Sequence, residues 1–536
     1  MIQKTRGREL GAVISIWFAL AVIMLLLAKE NLSVPGLYYD EAVFAGMAKD
    51  FLTGQVHGQH MPGHVVTSIF GRPFPVFIQL YLGALKSWML MPGLGLFGSS
   101  VVVLRATNLL WGLFALLFFM LGTWRSLGLR VALFGGSLLA LDPTYFFLCL
   151  WDWGSAVPSL VCRCLCFYLA TVWWRRRQAR YALLTGLFAG LGFFNKIDFA
   201  VPMAGVAIAG LVCFTRQLLR TRSTAISAGA LATAGFLLGA SPMLWAMPML
   251  VGRNFSGLNS SALGEFHEKF LTMFALYDGS YFYRIMSAGS VSDGMFSERL
   301  DFQPILGAAV VAAGIALVAK SLRNGSDTTS ARVGLFLVLA AVLVTLGVIL
   351  LPGAVRIHHA VLVYPLPQLI IAMALHVFLE RLSLTRWHRT IRATLWIALL
   401  GLFLSQLWTI QRTRALVRET GGRGHWSESF DAFCRENKNR ADLTISSLDW
   451  GFNEQLIFLT NGPRLEEPFW EFGENVPLLS TDPHNLYLVH SPEYNFFVYG
   501  LHYLEAAQQL GTAVQVRPYF DRQNRVVFYT IQFPRP

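Results

Sequence analysis

Two adjacent acids stand in Pro35-Gly36-Leu37-Tyr38-Tyr39-Asp40-Glu41, just ahead of the helix-like stretch Ala42 to Leu52. A carboxylate at the edge of a low-dielectric cavity can take the proton of an acceptor hydroxyl or amine, or hold a divalent ion. The pair can equally start a helix, with Asp40 satisfying free amides and Glu41 favouring the dipole. Another acid, Asp152, lies in Trp151-Asp152-Trp153-Gly154 directly after an apolar run. A charge there must face a cavity or water, and a solvated Asp between anchoring tryptophans is the alternative. Cations recur at Lys196 and in Arg356-Ile357-His358-His359. Such donors at headgroup level suit a phosphate-bearing lipid, and snorkelling basic side chains use the same positions. The His pair lacks the third and fourth ligands of a zinc site.

The elements that must hold these residues are apolar. Of 536 residues, 54% are hydrophobic and only 14% charged, against roughly 25% charged in soluble domains. Runs such as Gly11 to Ala28, Val131 to Leu150 and Val333 to Leu351 approach the ~20 residues a bilayer-crossing helix needs, and they stop after about Gln411. The net charge of +12 sits in short clusters between these runs, with no aromatic-interleaved basic face for nucleic acid. Under the positive-inside rule the clusters at Lys4/Arg6/Arg8, Arg125/Arg130, Arg175 to Arg180, Arg216/Arg220/Arg222, Lys320/Arg323/Arg332 and Arg381 to Arg392 are cytoplasmic. The first run has a basic flank but no small-residue cleavage site, so it reads as a retained helix. Five of the six cysteines fall in or beside apolar runs and Cys434 alone lies in the tail, which leaves no disulfide framework.

This bookkeeping gives about eleven spans: 10–28, 99–122, 131–149, 155–174, 182–195, 199–214, 225–247, 303–320, 333–351, 360–379 and 393–410. Were 73–92 also a crossing, every later basic cluster would fall outside, so that stretch is expected to be a re-entrant or interfacial helix in an outer loop. Outer loops then cover 29–98, 150–154, 248–302 and 352–359, and collect Asp40, Asp152, Lys196 and Arg356 on one face. Sequons at Asn254 and Asn259 share that face. The expected fold is an α-helical polytopic membrane protein, its domain 1–410 followed by a small extracytoplasmic α/β domain, 411–536. Strand-like segments there are Leu443 to Ser447, Leu456 to Leu459, Leu486 to His490 and Arg525 to Phe533, with a helix-like stretch from Ser491 to Leu510. Trp450, Asn453 and Glu454 in this tail are either acceptor contacts or ordinary fold positions.

The order of these features resembles the type C glycosyltransferases. It is carried by Asp40-Glu41, then Gly71-Arg72-Pro73-Phe74-Pro75, Leu96-Phe97-Gly98 with Arg105, Asp142-Pro143 before Asp152, Gly186-Leu187 through Asn195-Lys196, and Arg356 to Pro367. More narrowly it is similar to glycosyltransferase family 39, which includes protein O-mannosyltransferases and the lipid A aminoarabinose transferase. In the latter branch an acid and a Lys precede a Pro pair; here Gly71 and Arg72 stand there, and Arg72 supplies the cation.

The resemblance implies sugar transfer from a polyprenyl-phosphate donor to a lipid, glycan or protein acceptor, with inversion, at the outer face of a bacterial inner membrane. Asp40 would be the general base with Glu41 as its neighbour, and Asp152 would orient a substrate. Arg72, Lys196, Arg356 and His358 would bind the lipid phosphate. No cofactor is implied, and a divalent metal is compatible but not required, because Arg and Lys can neutralise a monophosphate leaving group. A transporter or flippase of lipid-linked sugars is the alternative. It would place polar residues near mid-membrane and show an internal repeat, and neither is evident here.

Overall fold

The computed structural model describes residues 2–252, 266–290, 306–323, 329–351, 355–382, 388–472, 481–509, 511 and 513–534. Among these, eight helices are long and apolar enough to cross a membrane, and the bent pair Leu129–Ala140 and Pro143–Leu150 makes a ninth if taken as one span. The chain is a polytopic helical membrane protein, with fewer full crossings than the sequence suggests. The segments expected at 182–195 and 303–320 are helices Ala179–Asn195, of 17 residues, and Leu306–Leu322. At 1.5 Å per residue each reaches about 25 Å, short of a ~30 Å hydrocarbon core. The sequons Asn254 and Asn259 lie outside the described residues.

The 63° bend follows from Asp142-Pro143. Pro143 cannot continue the preceding helix, and it starts the next one with Asp142 as N-cap, whose Oδ1 accepts the Tyr145 N–H at 3.0 Å. Asp142 also accepts hydrogen bonds from Tyr364 Oη and Gln368 Nε2, at 3.0 and 3.1 Å, which fix the bend against the helix Leu366–Leu382. The segment Trp151-Asp152-Trp153 is thereby delivered sideways into the protein, where all three residues are buried.

A glycine seam fixes the helix that ends at Asn195. A Cβ on Gly186 or Gly190 would lie 1.8 or 2.2 Å from the carbonyl oxygens of Ala232 and Phe236; one on Gly235 or Gly239 would lie 2.1 or 2.3 Å from those of Leu183 and Leu187. Paired small residues four apart let Ala179–Asn195 and Arg222–Gly252 pack backbone to backbone.

The stretch 73–92 is not one helix. It begins in a three-stranded antiparallel sheet of Val65–Ile69 (β1), Arg72–Gln79 (β2) and Leu82–Gly83 (β3), and continues into the 13-residue helix Leu85–Phe97, too short to cross. Leu82 forms a bridge to Lys196, which ties this sheet to the end of Ala179–Asn195.

The tail is a mixed sheet in the order Arg464–Glu466 (β5), Thr444–Ser447 (β4), Asn485–His490 (β6), Val526–Gln532 (β8) and Gln515–Phe520 (β7). The first three strands are parallel and the last two antiparallel. Leu456 to Leu459, expected as a strand, belongs to the helix Asn453–Leu459, and the helix expected from Ser491 is confined to Tyr499–Gln509. The last membrane helix, His388–Thr420, runs on past 411 into the tail. One of several apolar clusters extends from Val13 through Trp151 and Trp153 to Val417 and Trp426.

Candidate active site

Asp40 sits in the first turn of helix Tyr39–Thr53. The cap is made by its neighbour: Glu41 Oε1 accepts the Tyr38 N–H at 3.3 Å. The Asp40 carboxylate is half-buried and accepts no hydrogen bond among the described residues. Burial pushes it up to about 6, against the pull of Lys86, Lys196 and Arg356, in that order. It is therefore a carboxylate poised near neutrality, facing cations without being paired to any of them.

Glu41, expected beside Asp40 as part of the reactive pair, is instead locked in a buried clamp. Arg105 grips it bidentately, Nε to Oε2 at 2.9 Å and Nη2 to Oε1 at 3.0 Å, and also donates to the carbonyls of Pro35 and Gly36 at 2.7 and 3.1 Å. Both side chains are fully buried, so the pair holds the loop rather than a substrate.

Lys86, in the first turn of Leu85–Phe97, was not singled out by the sequence. It is buried, lies 4.7 Å from the Phe44 ring centroid, and forms an ion pair with Asp152 Oδ2 at 3.4 Å while donating to the Asp152 carbonyl. The available signal was a lone Lys within an apolar stretch, which must face a cavity or a partner. Asp152 in turn accepts the Val157 N–H at 2.9 Å, starting the next helix. Burial raises its carboxyl while Lys86 lowers it.

Lys196 closes the group from the other side. Its Nζ lies 3.0 Å from His359 Nε2 and 3.3 Å from Asp198 Oδ2. Arg356 forms an ion pair with Glu268. His358 lies against His359, ring centroids 4.1 Å apart, and fills the space beside Gly154, where a Cβ would come within 2.7 Å of its ring. Asp40, Asp152, Lys196, Arg356 and His358 thus converge at one end of the bundle with Lys86 among them.

Arg72 does not join them. Its Nη1 donates to the Leu52 carbonyl at 2.8 Å, at the far end of the helix that Asp40 begins. That helix puts about 18 Å between them. Among the described residues, no group of three or more His, Cys, Asp or Glu is arranged to hold a metal ion.

The tail meets the same helix towards its C-terminal end. His60 is buried between Asp50 Oδ2 at 2.8 Å and Glu454 Oε2 at 3.1 Å, and Asn453 Nδ2 donates to the Gln59 carbonyl at 2.5 Å. Burial lowers the imidazole, but the two carboxylates outweigh it and raise it to about 10. Lys49 donates to the carbonyls of Ile457, at 2.8 Å, and Thr460. Asn453 and Glu454 are thereby docking residues of the tail.

The chain is a polytopic membrane protein whose fold is similar to that of solved membrane glycosyltransferases. Residues 84–245 match the family profile described as dolichyl-phosphate-mannose-protein mannosyltransferase. The chain superposes on the Archaeoglobus fulgidus oligosaccharyltransferase tethered to an acceptor peptide with a TM-score of 0.54 at 13% identity, covering 94% of this chain and 69% of that one. The same protein in complex with an inhibitory peptide and a dolichol-phosphate gives a TM-score of 0.50, with the same identity and coverage. ArnT from Cupriavidus metallidurans bound to undecaprenyl phosphate aligns over 99% of this chain and 98% of its own, at 13% identity and a TM-score of 0.48. No curated protein matches the sequence.

Proposed function

We propose that the protein transfers a sugar from a polyprenyl-phosphate donor to an acceptor hydroxyl or amine, with Asp40 as general base. The observation that carries this is the Asp40 carboxylate itself, half-buried and without a hydrogen-bond or ion-pair partner among the described residues, with Lys86, Lys196 and Arg356 as the cations acting on it. In the reaction the acceptor heteroatom attacks the anomeric carbon while its proton passes to Asp40. The bond from that carbon to the phosphate oxygen breaks, and its electron pair leaves with the phosphate. Lys86, Lys196 and Arg356 would hold the growing negative charge, which is the main demand of such a step. His359 and Asp198 would position Lys196, and Asp152 would position Lys86. Attack opposite the leaving group inverts the anomeric centre. A donor of this kind agrees with the mannosyltransferase profile over 84–245 and with the dolichol-phosphate held by the Archaeoglobus protein of the same fold.

In this reading the site opens to the extracytoplasmic side. Arg175 and Arg176 end the helix Ala156–Arg176 that begins beside Asp152, and Arg220 ends Ala200–Arg220 that begins beside Lys196. The cations therefore mark the ends remote from the site, as cytoplasmic ends should.

The test is Asp40→Asn in the full chain, purified in detergent and supplied with labelled polyprenyl-phosphate sugars. Loss of transfer by about 10²-fold or more, with donor binding retained, is expected of a general base. Undiminished transfer overturns the assignment. Because detergent leaves no compartments, any product bond formed there also excludes pure transport.

A further inference from the structure

Asp40 lies between two unlike surroundings. Cations of the membrane part act on it, whereas the adjacent Tyr39 faces the tail and feels Glu454 and Glu467 as well as Asp40 itself. On that side Trp450 meets Tyr39 with ring centroids 4.3 Å apart and meets Phe496 edge-on at 4.7 Å. Asp449 fixes this corner: it accepts the backbone N–H groups of Trp450 at 2.8 Å, Phe496 at 3.2 Å and Phe497 at 3.1 Å. Trp450 keeps part of its ring exposed, and its indole N–H meets no described acceptor.

Tyr39 Oη, Asn453 Oδ1, Gln455 Oε1 and Glu467 Oε1 are all buried without a hydrogen-bond partner among the described residues. Burial pushes the Glu467 carboxyl up to about 8. A buried polar group left unpaired is costly, so such atoms on the residues around Tyr39 and Trp450 point to a ligand that completes them. Donors (Tyr39, Trp450) and acceptors (Asn453, Gln455) are mixed, which suits groups that both give and take hydrogen bonds. A hydroxyl does both at one atom, whereas a peptide divides the two functions between N–H and C=O and an ionised phosphate oxygen only accepts. Aromatic faces beside such groups match the C–H face of a sugar ring.

We propose that the acceptor is itself a carbohydrate, one of its sugar rings seated against Trp450 and Tyr39 with a hydroxyl turned towards Asp40. This rests on the transferase reading above, which assigns Asp40 its role, and makes the tail the acceptor side and the membrane part the donor side of one site.

The experiment uses the full chain in detergent with uncharged mannotriose and maltotriose, a Ser/Thr-rich decapeptide and polyprenyl phosphate as separate probes, read by saturation-transfer NMR. At least one trisaccharide is expected to show contact, and Trp450→Ala to weaken it by about tenfold while polyprenyl phosphate binds as before. Trp450→Phe, which keeps an aromatic face and the packing, should retain most of the contact and so separates lost recognition from lost folding. The proposal is overturned if neither sugar contacts the wild-type protein, if Trp450→Ala leaves the contact intact, or if the decapeptide alone binds and is lost in Trp450→Ala. Failure of polyprenyl phosphate to bind would count against the transferase reading instead, since sugar contact is read independently.

Discussion

Lys86 and Asp152 meet in a buried ion pair, Nζ to Oδ2 3.4 Å, across 66 residues of sequence. The pair joins the helix that follows the small sheet to the break that follows the bent helices. Replacing Lys86 by Met leaves the buried Asp152 carboxyl without its cation, and should destabilise the protein by about 3 kcal/mol. Lys86→Met combined with Asp152→Asn should recover much of that stability but no transfer. Thermal unfolding of the three proteins in one detergent, with transfer assayed alongside, checks both outcomes.

Transfer should depend on pH through Asp40. A general base works only when deprotonated, so the rate should climb as pH rises through about 6 and level off above it. A single-turnover pH profile reads this, and a rate that is flat between pH 5 and 7.5 would contradict it.

Glu41 and Asp40 should fail in different ways. Glu41→Gln loosens the Arg105 clamp and leaves a buried guanidinium without its carboxylate, at a cost on the order of 3 kcal/mol. Asp40→Asn removes a half-buried carboxylate with no partner among the described residues and should leave the melting temperature nearly unchanged. Comparing melting temperatures of the two isosteric variants separates clamp from base.

Arg72→Ala should retain transfer within about twofold of wild type, because its guanidinium caps a helix end remote from Asp40. Lys196→Ala, by contrast, should raise the KM for the lipid-linked donor by about tenfold or more. Steady-state kinetics with a fixed acceptor distinguish them.

Docking of the tail should weaken in alkali. His60 is raised to about 10 in the folded protein, so its contribution to stability is complete below its unfolded value near 6.5 and is lost as pH rises through about 10. The melting temperature should fall between pH 8 and 10 in the wild type and fall less in His60→Gln. Equal slopes for both proteins would remove His60 from the docking.

Much of this arrangement was legible in the chain because it depends on local chemistry. Apolar runs of bilayer length announced the spans, and Asp142-Pro143 announced a break. The acids after the first and third spans and the later cations proved to be neighbours because one end of a bundle gathers the ends of its helices. What escaped was set by tertiary context. Lys86 hid in an apolar stretch whose division between strand and helix periodicity cannot decide, and Leu456 to Leu459 was too short a run to separate a buried strand from a buried helix. Arg72 matched by order, but the pairing of β1 with β2 carries it to the wrong end of a helix. Glu41 looked like Asp40 until Arg105, 64 residues on, claimed it.

The loop before Asp40 is pinned from the tail: Gly36 N–H donates to the Trp426 carbonyl at 2.7 Å and Leu37 N–H to Asp431 Oδ1 at 3.1 Å. A Cβ on Gly36 would lie 2.3 Å from the Ser427 oxygen. The tail is therefore not an interchangeable module. A chimera carrying a relative's C-terminal domain would have to reproduce the backbone course of 426–431 to within a few tenths of an ångström, or the reactive carboxylate would be displaced even with every membrane helix unchanged.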